Sequence, residues 1–141
     1  MRCVVQIVVL AACLLCAGCG PLDRGELSRG VETLSAVAAE SQLVADGVAQ
    51  DRTRATYTRV HARTLAEDAA HEAEKLADAS VAPGIERERD RAVAIAQRLD
   101  DTIGTMETHP GDERAGVQVH KELTGIADDL DQLGQRLVQR L

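Results

Sequence analysis

The sequence predicts an all-α protein, an antiparallel four-helix bundle that follows an N-terminal signal peptide. The composition is dominated by Ala, Leu, Val, Glu and Arg, and all of these except Val have a high helix propensity. Apolar residues recur at alternating spacings of three and four, and no sustained period-2 alternation interrupts them. Two clear helix breaks, Val81-Ala82-Pro83-Gly84 and His109-Pro110-Gly111-Asp112, divide the rest of the chain. We therefore expect residues 1–18 to be a signal peptide, 19–25 a short tether and 26–141 the bundle.

The first helix is predicted from about Glu26 to Gln50. Its core stripe consists of Leu27, Val31, Leu34, Ala38, Ser41, Ala45 and Val48. Gly30 and Gly47 weaken this helix, and their small size is expected to let a neighbouring element approach closely. Asp51-Arg52-Thr53 is the predicted turn that follows. If it is not a turn, the alternative is a longer helical hairpin or coiled coil.

The second helix is predicted to end near Ala79 or Ser80, and it has a narrow, alanine-rich seam. The seam consists of Ala55, Thr58, Ala62, Leu65, Ala69, Ala73 and Leu76. Such small residues favour tight packing against a partner helix.

The third helix follows Pro83-Gly84, and its core face consists of Ile85, Ala92, Ala96, Leu99, Ile103 and Met106. Its charged start, residues 86–91, alternates in sign and is predicted to be a solvated face. Asp112 is predicted to cap the fourth helix. The fourth stripe is the most regular, with Val119, Leu123, Ile126, Leu130, Leu133 and Leu137. Because the connections are short, neighbouring helices should run antiparallel.

The first nineteen residues, MRCVVQIVVLAACLLCAGC, contain a single charge, Arg2. Val4 to Leu15 is apolar except for Gln6, which makes a run of about 12 residues. A membrane span needs about 20 residues, whereas the apolar region of a secretory signal has about 7–15. The run therefore indicates a secretory signal.

The stretch Leu15-Cys16-Ala17-Gly18-Cys19 resembles the lipobox of bacterial lipoproteins. That resemblance implies cleavage before Cys19 and covalent diacylglycerol and palmitate on this residue. The stretch departs from the family pattern because Cys16 stands at the usual aliphatic position. A second candidate, Leu10-Ala11-Ala12-Cys13, fits the pattern but leaves an apolar region of only about nine residues, so Cys19 is preferred. The alternatives are an uncleaved anchor and a plain secretory peptide.

All three interpretations place the bundle outside the cytoplasm, and a lipidated Cys19 would hold it at the cell envelope. Lipoproteins of this family that stay at the inner membrane commonly carry an aspartate after the cysteine, where this chain has Gly20. The resemblance thus implies the periplasmic face of the outer membrane if there are two membranes, and otherwise the outer face of the cell membrane.

Composition narrows the set of partners and cofactors. Removing residues 1–18 deletes Arg2 and no acid, so the net charge of −7 becomes −8, which argues against a nucleic-acid partner. The four cysteines are Cys3, Cys13, Cys16 and Cys19, so the mature domain contains neither a disulfide nor a thiolate metal site. Tyr57 is the single aromatic residue, which argues against an aromatic ligand cage.

Asp68 and His71 have the three-residue spacing of the carboxylate-x-x-His motif, in which respect the chain is loosely similar to ferritin-like four-helix bundles. This similarity implies a metal site of Asp68 and His71 with Glu40 and His120. The fourth helix departs from the motif because Val117 stands where a carboxylate belongs. A helical wheel also places His71 nearly opposite the alanine seam.

Tyr57 and His61 are four residues apart and are predicted to form a surface pair. No serine has a partnered histidine and acid at readable spacing, and no glycine-rich phosphate loop is present. We therefore expect a non-enzymatic lipoprotein without a cofactor other than its lipid. Its predicted role is to bind a protein partner or to act structurally at the envelope. The alternative is a metal-binding or metal-sensing bundle.

Overall fold

The computed structural model describes residues 20–139, which form four helices. They are α1 (Arg24–Ala49), α2 (Ala55–Asp78), α3 (Glu86–Thr108) and α4 (Glu113–Gln139). Helices α1 and α3 each pack against both α2 and α4, and the closest pairs are α1 with α4 and α2 with α3. Within the described residues there is no strand, only one isolated bridge. The predicted all-α, antiparallel four-helix bundle is confirmed.

The core is built from one stripe of each helix, as the apolar spacing predicts. In α4 every residue of the predicted stripe is buried, and in α1 the stripe from Leu27 to Val48 is buried throughout. The seam of α2 differs at one position. Ala55 is exposed because it is the first residue of α2, at the end of the bundle, whereas the rest of the seam is buried.

The connection between α1 and α2 is a true turn. Helix α1 ends at Ala49, and Asp51 adopts a left-handed backbone with φ of 49°. The Arg52 N–H donates to the Gly47 carbonyl at 2.8 Å, which closes the turn over the end of α1. A single long helix through residues 51–53 is therefore excluded, and with it the longer helical hairpin.

Two helix starts are set by local side-chain caps. Asp23 accepts the N–H of Glu26 at 2.8 Å, and Glu26 accepts the N–H of Asp23 at 3.3 Å. This reciprocal capping box begins α1 at Arg24, two residues before the predicted start. Asp112 accepts the N–H groups of Arg114 and Ala115, which confirms the predicted cap of α4.

Helix α2 ends without a glycine, and Arg89 of α3 supplies the missing hydrogen bonds. Arg89 Nη1 donates to the carbonyls of Leu76, Ala77 and Ala79 at 3.1–3.4 Å. The last carbonyls of a helix have no partner within the helix, and a cation there also meets the negative end of the helix dipole. The prediction of a solvated face for residues 86–91 is therefore wrong for Arg89.

Replacing this arginine should destabilise the fold. We expect Arg89→Met to lower the free energy of unfolding by about 1–2 kcal/mol, because the carbonyls at the end of α2 lose a charged donor. Arg87→Met is the matched control, since Arg87 is exposed on the same turn, and it should change stability by less than about 0.5 kcal/mol. Urea unfolding of the three proteins measures the difference. Equal losses for both variants would contradict the capping role.

The segment before α1 is held against the α2–α3 loop by two backbone hydrogen bonds. The Leu22 N–H donates to the Ser80 carbonyl at 2.7 Å, and the Leu22 carbonyl accepts the Ala82 N–H at 3.0 Å. The Leu22 side chain is only 8% exposed and belongs to the core. The predicted tether of residues 19–25 thus includes a fixed joint at Leu22. Cys19 itself lies outside the described residues.

Among residues 20–139, no helix combines the length and the apolar character that crossing a bilayer requires.

Candidate functional site

Tyr57, His61 and Glu40 form a polar and aromatic cluster on the surface between α1 and α2. The rings of Tyr57 and His61 stack with centroids 5.3 Å apart and an interplanar angle of 18°. His61 Nε2 lies 2.9 Å from Glu40 Oε1, within hydrogen-bond distance. The four-residue spacing explains the stack, because residues i and i+4 are neighbours on a helix. The bond to Glu40 depends on the packing of α1 against α2, which local spacing does not encode.

Large apolar side chains are exposed around this cluster. Leu43 is 75% exposed, Val60 64% and Tyr57 55%. Tyr57 and Val60 are three residues apart on α2, and Leu43 follows Glu40 by three residues on α1. We call Leu43, Tyr57, Val60 and His61 the Tyr57 surface. Single exposed apolar residues are ordinary, but an aromatic anchor with aliphatic neighbours is typical of partner-binding surfaces.

The four predicted metal ligands are not brought together. Asp68 and His71 are exposed on α2. Glu40 is bonded to His61, and His71 lies ten residues further along α2, or about 15 Å. His120 belongs to α4, where its Nδ1 lies 3.4 Å from the Gln42 carbonyl. Within residues 20–139, no three His, Cys, Asp or Glu side chains are grouped as a metal ion would require.

Four polar residues are buried in the described core, and each has a hydrogen-bond partner, whereas the Nη1 atom of Arg24 is buried without one. The hydroxyl groups of Ser41 and Thr102 donate to carbonyls one turn earlier in their own helices, at 2.7 Å each. The carboxylate of Glu72, which lies against α1, accepts from Lys75 at 3.0 and 3.2 Å. Thr58 is bonded to Thr53 at the α1–α2 turn. These groups satisfy buried hydrogen-bonding needs within the fold.

Ion pairs across helix boundaries lie on the outside of the bundle. Arg63 of α2 donates two hydrogen bonds to Glu107 of α3, at 2.6 and 2.8 Å, and this bonding raises the pKa of Arg63. Arg98 of α3 donates to Asp129 of α4, and Arg91 adds a longer contact at 3.4 Å. The hydrogen bond from Arg98 lowers the pKa of Asp129, and the two positive charges contribute. Burial followed by the nearby charge of Asp101 raises the pKa of Asp100.

These two aspartates should affect stability with opposite signs. A lowered folded pKa contributes stability above the unfolded value of about 3.9 and loses it as the pH falls through the folded pKa. A raised folded pKa costs stability once the pH exceeds it. At pH 7 we therefore expect Asp129→Asn to lower the free energy of unfolding by up to about 1 kcal/mol and Asp100→Asn to raise it.

Chemical unfolding at pH 7 and at about pH 2 measures both effects, because protonation of the aspartates at the lower pH reduces the contribution of their charges. Both variants should then approach the parent protein. A destabilisation by Asp129→Asn that persists unchanged at about pH 2 would show that packing, and not charge, is responsible.

The fold places this protein in the class of all-α, antiparallel four-helix bundles. No family model, curated protein or solved structure matches the chain.

Proposed function

We propose that the protein is a lipid-anchored, non-enzymatic lipoprotein of the cell envelope that binds a protein partner on the extracytoplasmic side. The observation that carries this proposal is the sequence from Met1 to Cys19, in which a short apolar run, two small residues and a cysteine follow one another. Thioether-linked diacylglycerol with a further acyl chain anchors stably, whereas one chain binds a membrane only marginally. Cys19 is thus the residue to which the lipid of the mature protein would be attached.

The anchor is tested by replacing single leader cysteines. Cys19→Ser should abolish incorporation of labelled palmitate and leave the protein unprocessed or released, because no sulfur remains at the cleavage site. Cys13→Ser and Cys16→Ser are the matched controls and should keep the label. Metabolic labelling with palmitate followed by immunoprecipitation measures the result. A Cys19→Ser protein that still carries palmitate would refute the assignment, and loss of label only in Cys13→Ser would support the alternative lipobox.

The Tyr57 surface supports the partner-binding part of the proposal. It combines exposed apolar area with a ring held in place by stacking and by the Glu40–His61 contact. A side chain that is already ordered loses less conformational entropy on binding than a free one. We infer that a partner protein of the envelope covers Leu43, Tyr57 and Val60.

Site-specific photo-cross-linking in intact envelopes tests this surface. A photoreactive residue is placed at Val60 and, as the control, at His71, which lies eleven residues or three turns further on the same side of α2. We expect a discrete cross-linked partner from position 60 and little from position 71. Tyr57→Asp should reduce the adduct from position 60 several-fold. Free monomer alone at both positions would refute partner binding.

The metal-binding alternative stays a prediction, and the separation of Asp68 and His71 from Glu40 and His120 does not support it. Metal analysis of untagged protein, together with melting in added zinc, copper or iron, tests it. A metal-free protein whose melting temperature ignores all three metals would refute this alternative.

A further inference from the structure

The joint between Leu22 and the α2–α3 loop determines which end of the bundle lies nearest to residue 19. Leu22 donates its N–H to the Ser80 carbonyl and accepts the Ala82 N–H at its own carbonyl, and these two hydrogen bonds together form a parallel bridge opposite Val81. Leu22 is three residues after Cys19. A chain spans at most about 3.3–3.6 Å per residue, so Cys19 lies within about 10 Å of the joint.

The opposite end of the bundle is much further away. Helices of 23–27 residues are about 35–40 Å long at 1.5 Å per residue. The α1–α2 turn and the α3–α4 loop therefore lie some three times further from Cys19 than the joint does. With the joint closed, an anchor at Cys19 therefore holds the joint end of the bundle near the membrane, and the other two loops reach the same membrane only if the bundle lies on its side.

The end that carries the joint also has suitable chemistry for a lipid surface. Residues 20–22 and 79–85, which we call the membrane pole, contain no charged residue. Pro83 and Gly84 are exposed, and Val81 and Ala82 are half-buried. Every helix flank, in contrast, carries exposed carboxylates and arginines. Removing water from a charged group costs far more than removing it from an uncharged one, so the pole is less costly to press against a bilayer than the helix flanks, although the exposed residues Asp23, Asp78 and Glu86 border it.

We propose that the membrane pole contacts the lipid headgroups and that the bundle stands end-on upon the bilayer. This inference rests on the proposed lipidation of Cys19. Tyr57 lies 21 residues before the end of α2, which places the Tyr57 surface about 30 Å from the membrane pole. The surface is thereby presented to a partner that need not touch the membrane.

Depth-dependent fluorescence quenching tests this orientation. The mature chain has no cysteine after Cys19, so one introduced cysteine is labelled uniquely when Cys19 is lipidated. Pro83→Cys reports on the membrane pole and Gly111→Cys on the opposite end. Ala36→Cys and Ala94→Cys report on α1 and α3, which are diagonal in the bundle. All four positions are exposed.

The full-length lipidated variants carry an environment-sensitive thiol fluorophore. They are reconstituted into phosphatidylethanolamine–phosphatidylglycerol vesicles with or without headgroup-spin-labelled lipid. We expect quenching at Pro83 to exceed that at the other three positions several-fold. Vesicle flotation and palmitate analysis of each sample verify the anchor, and circular dichroism verifies the fold.

The outcomes separate this inference from the proposed function. If the proteins float and carry palmitate but Ala36 or Ala94 is quenched as strongly as Pro83, the bundle lies on its side, and the end-on orientation is wrong while the anchor stands. If they float and no position is quenched, the pole does not contact the bilayer and the inference is again wrong. Absence of lipid from Cys19 overturns the proposed function and the inference together.

Discussion

Leu34→Ala is expected to lower the free energy of unfolding by about 3 kcal/mol. Leu34 is fully buried in α1. Its truncation removes apolar area from the core and leaves a cavity that rigid helices fill only in part, a change that typically costs about 2–5 kcal/mol. Because domains of this size are stable by about 5–15 kcal/mol, the loss would be a large fraction of the total. Urea unfolding followed by circular dichroism measures it.

The same substitution nine residues later in the same helix is the control. Leu43 is 75% exposed, so Leu43→Ala should change stability by less than about 0.5 kcal/mol. The two variants separate the effect of burial from that of helix propensity, because both replace leucine by alanine in the same helix. Similar losses for both variants would mean that Leu43 is covered in the folded protein, for example by a second copy of the chain.

Gly116→Ala is expected to destabilise the bundle although alanine is the better helix former. A Cβ atom at position 116 would lie 2.6 Å from the Ala49 nitrogen and 3.0 Å from the Ala45 carbonyl oxygen. Both atoms belong to the backbone of α1 near its C-terminal end. Because backbone atoms cannot turn aside as a flexible side chain can, α4 and α1 would have to move apart. Overpacking of this kind costs about 1–3 kcal/mol, against a gain in helix propensity of about 1 kcal/mol. We expect a net loss of up to about 2 kcal/mol.

Gly125→Ala in the same helix should have the opposite sign. No atom lies within 4 Å of a Cβ built at position 125, so the helix-propensity gain of about 0.5–1 kcal/mol is unopposed. Thermal and urea unfolding of the two variants give the comparison. Stabilisation by both substitutions would contradict the close approach of α4 to α1.

The helical glycines differ in whether a close neighbour could be predicted from the sequence. The expectation that Gly30 and Gly47 allow a close approach is confirmed, since Cβ atoms there would lie 2.8 Å from Glu72 Oε1 and 2.6 Å from Thr53 Cγ2. Gly116, which has the tightest backbone contact, carries no distinguishing local pattern, and neither does Gly125. Whether a helical glycine faces a neighbour depends on how two helices are rotated and spaced. That information belongs to their packing.

The candidate site likewise contains one contact that the spacing within a helix predicts and others that depend on the packing of the helices. Spacing on one helix was enough to pair Tyr57 with His61, because i and i+4 residues are neighbours whatever the tertiary structure. The ligand set of Asp68, His71, Glu40 and His120 needed three helices in one register, and the structure keeps these residues apart. Contacts between helices depend on vertical offset, and a shift of one turn is about 5.4 Å, more than the length of a hydrogen bond.

The sequence by itself determined the class of fold, the helix count and nearly every core position, because hydrophobic periodicity of 3.6 residues and helix-breaking residues act locally. It is also the source of the proposed lipid anchor at Cys19, which lies outside the described residues. Only the tertiary structure decided that Arg89 closes the end of α2, that Leu22 is joined to the α2–α3 loop and that Glu40 meets His61. Each of these contacts joins residues at least 10 positions apart, and only the packing of the helices brings them together.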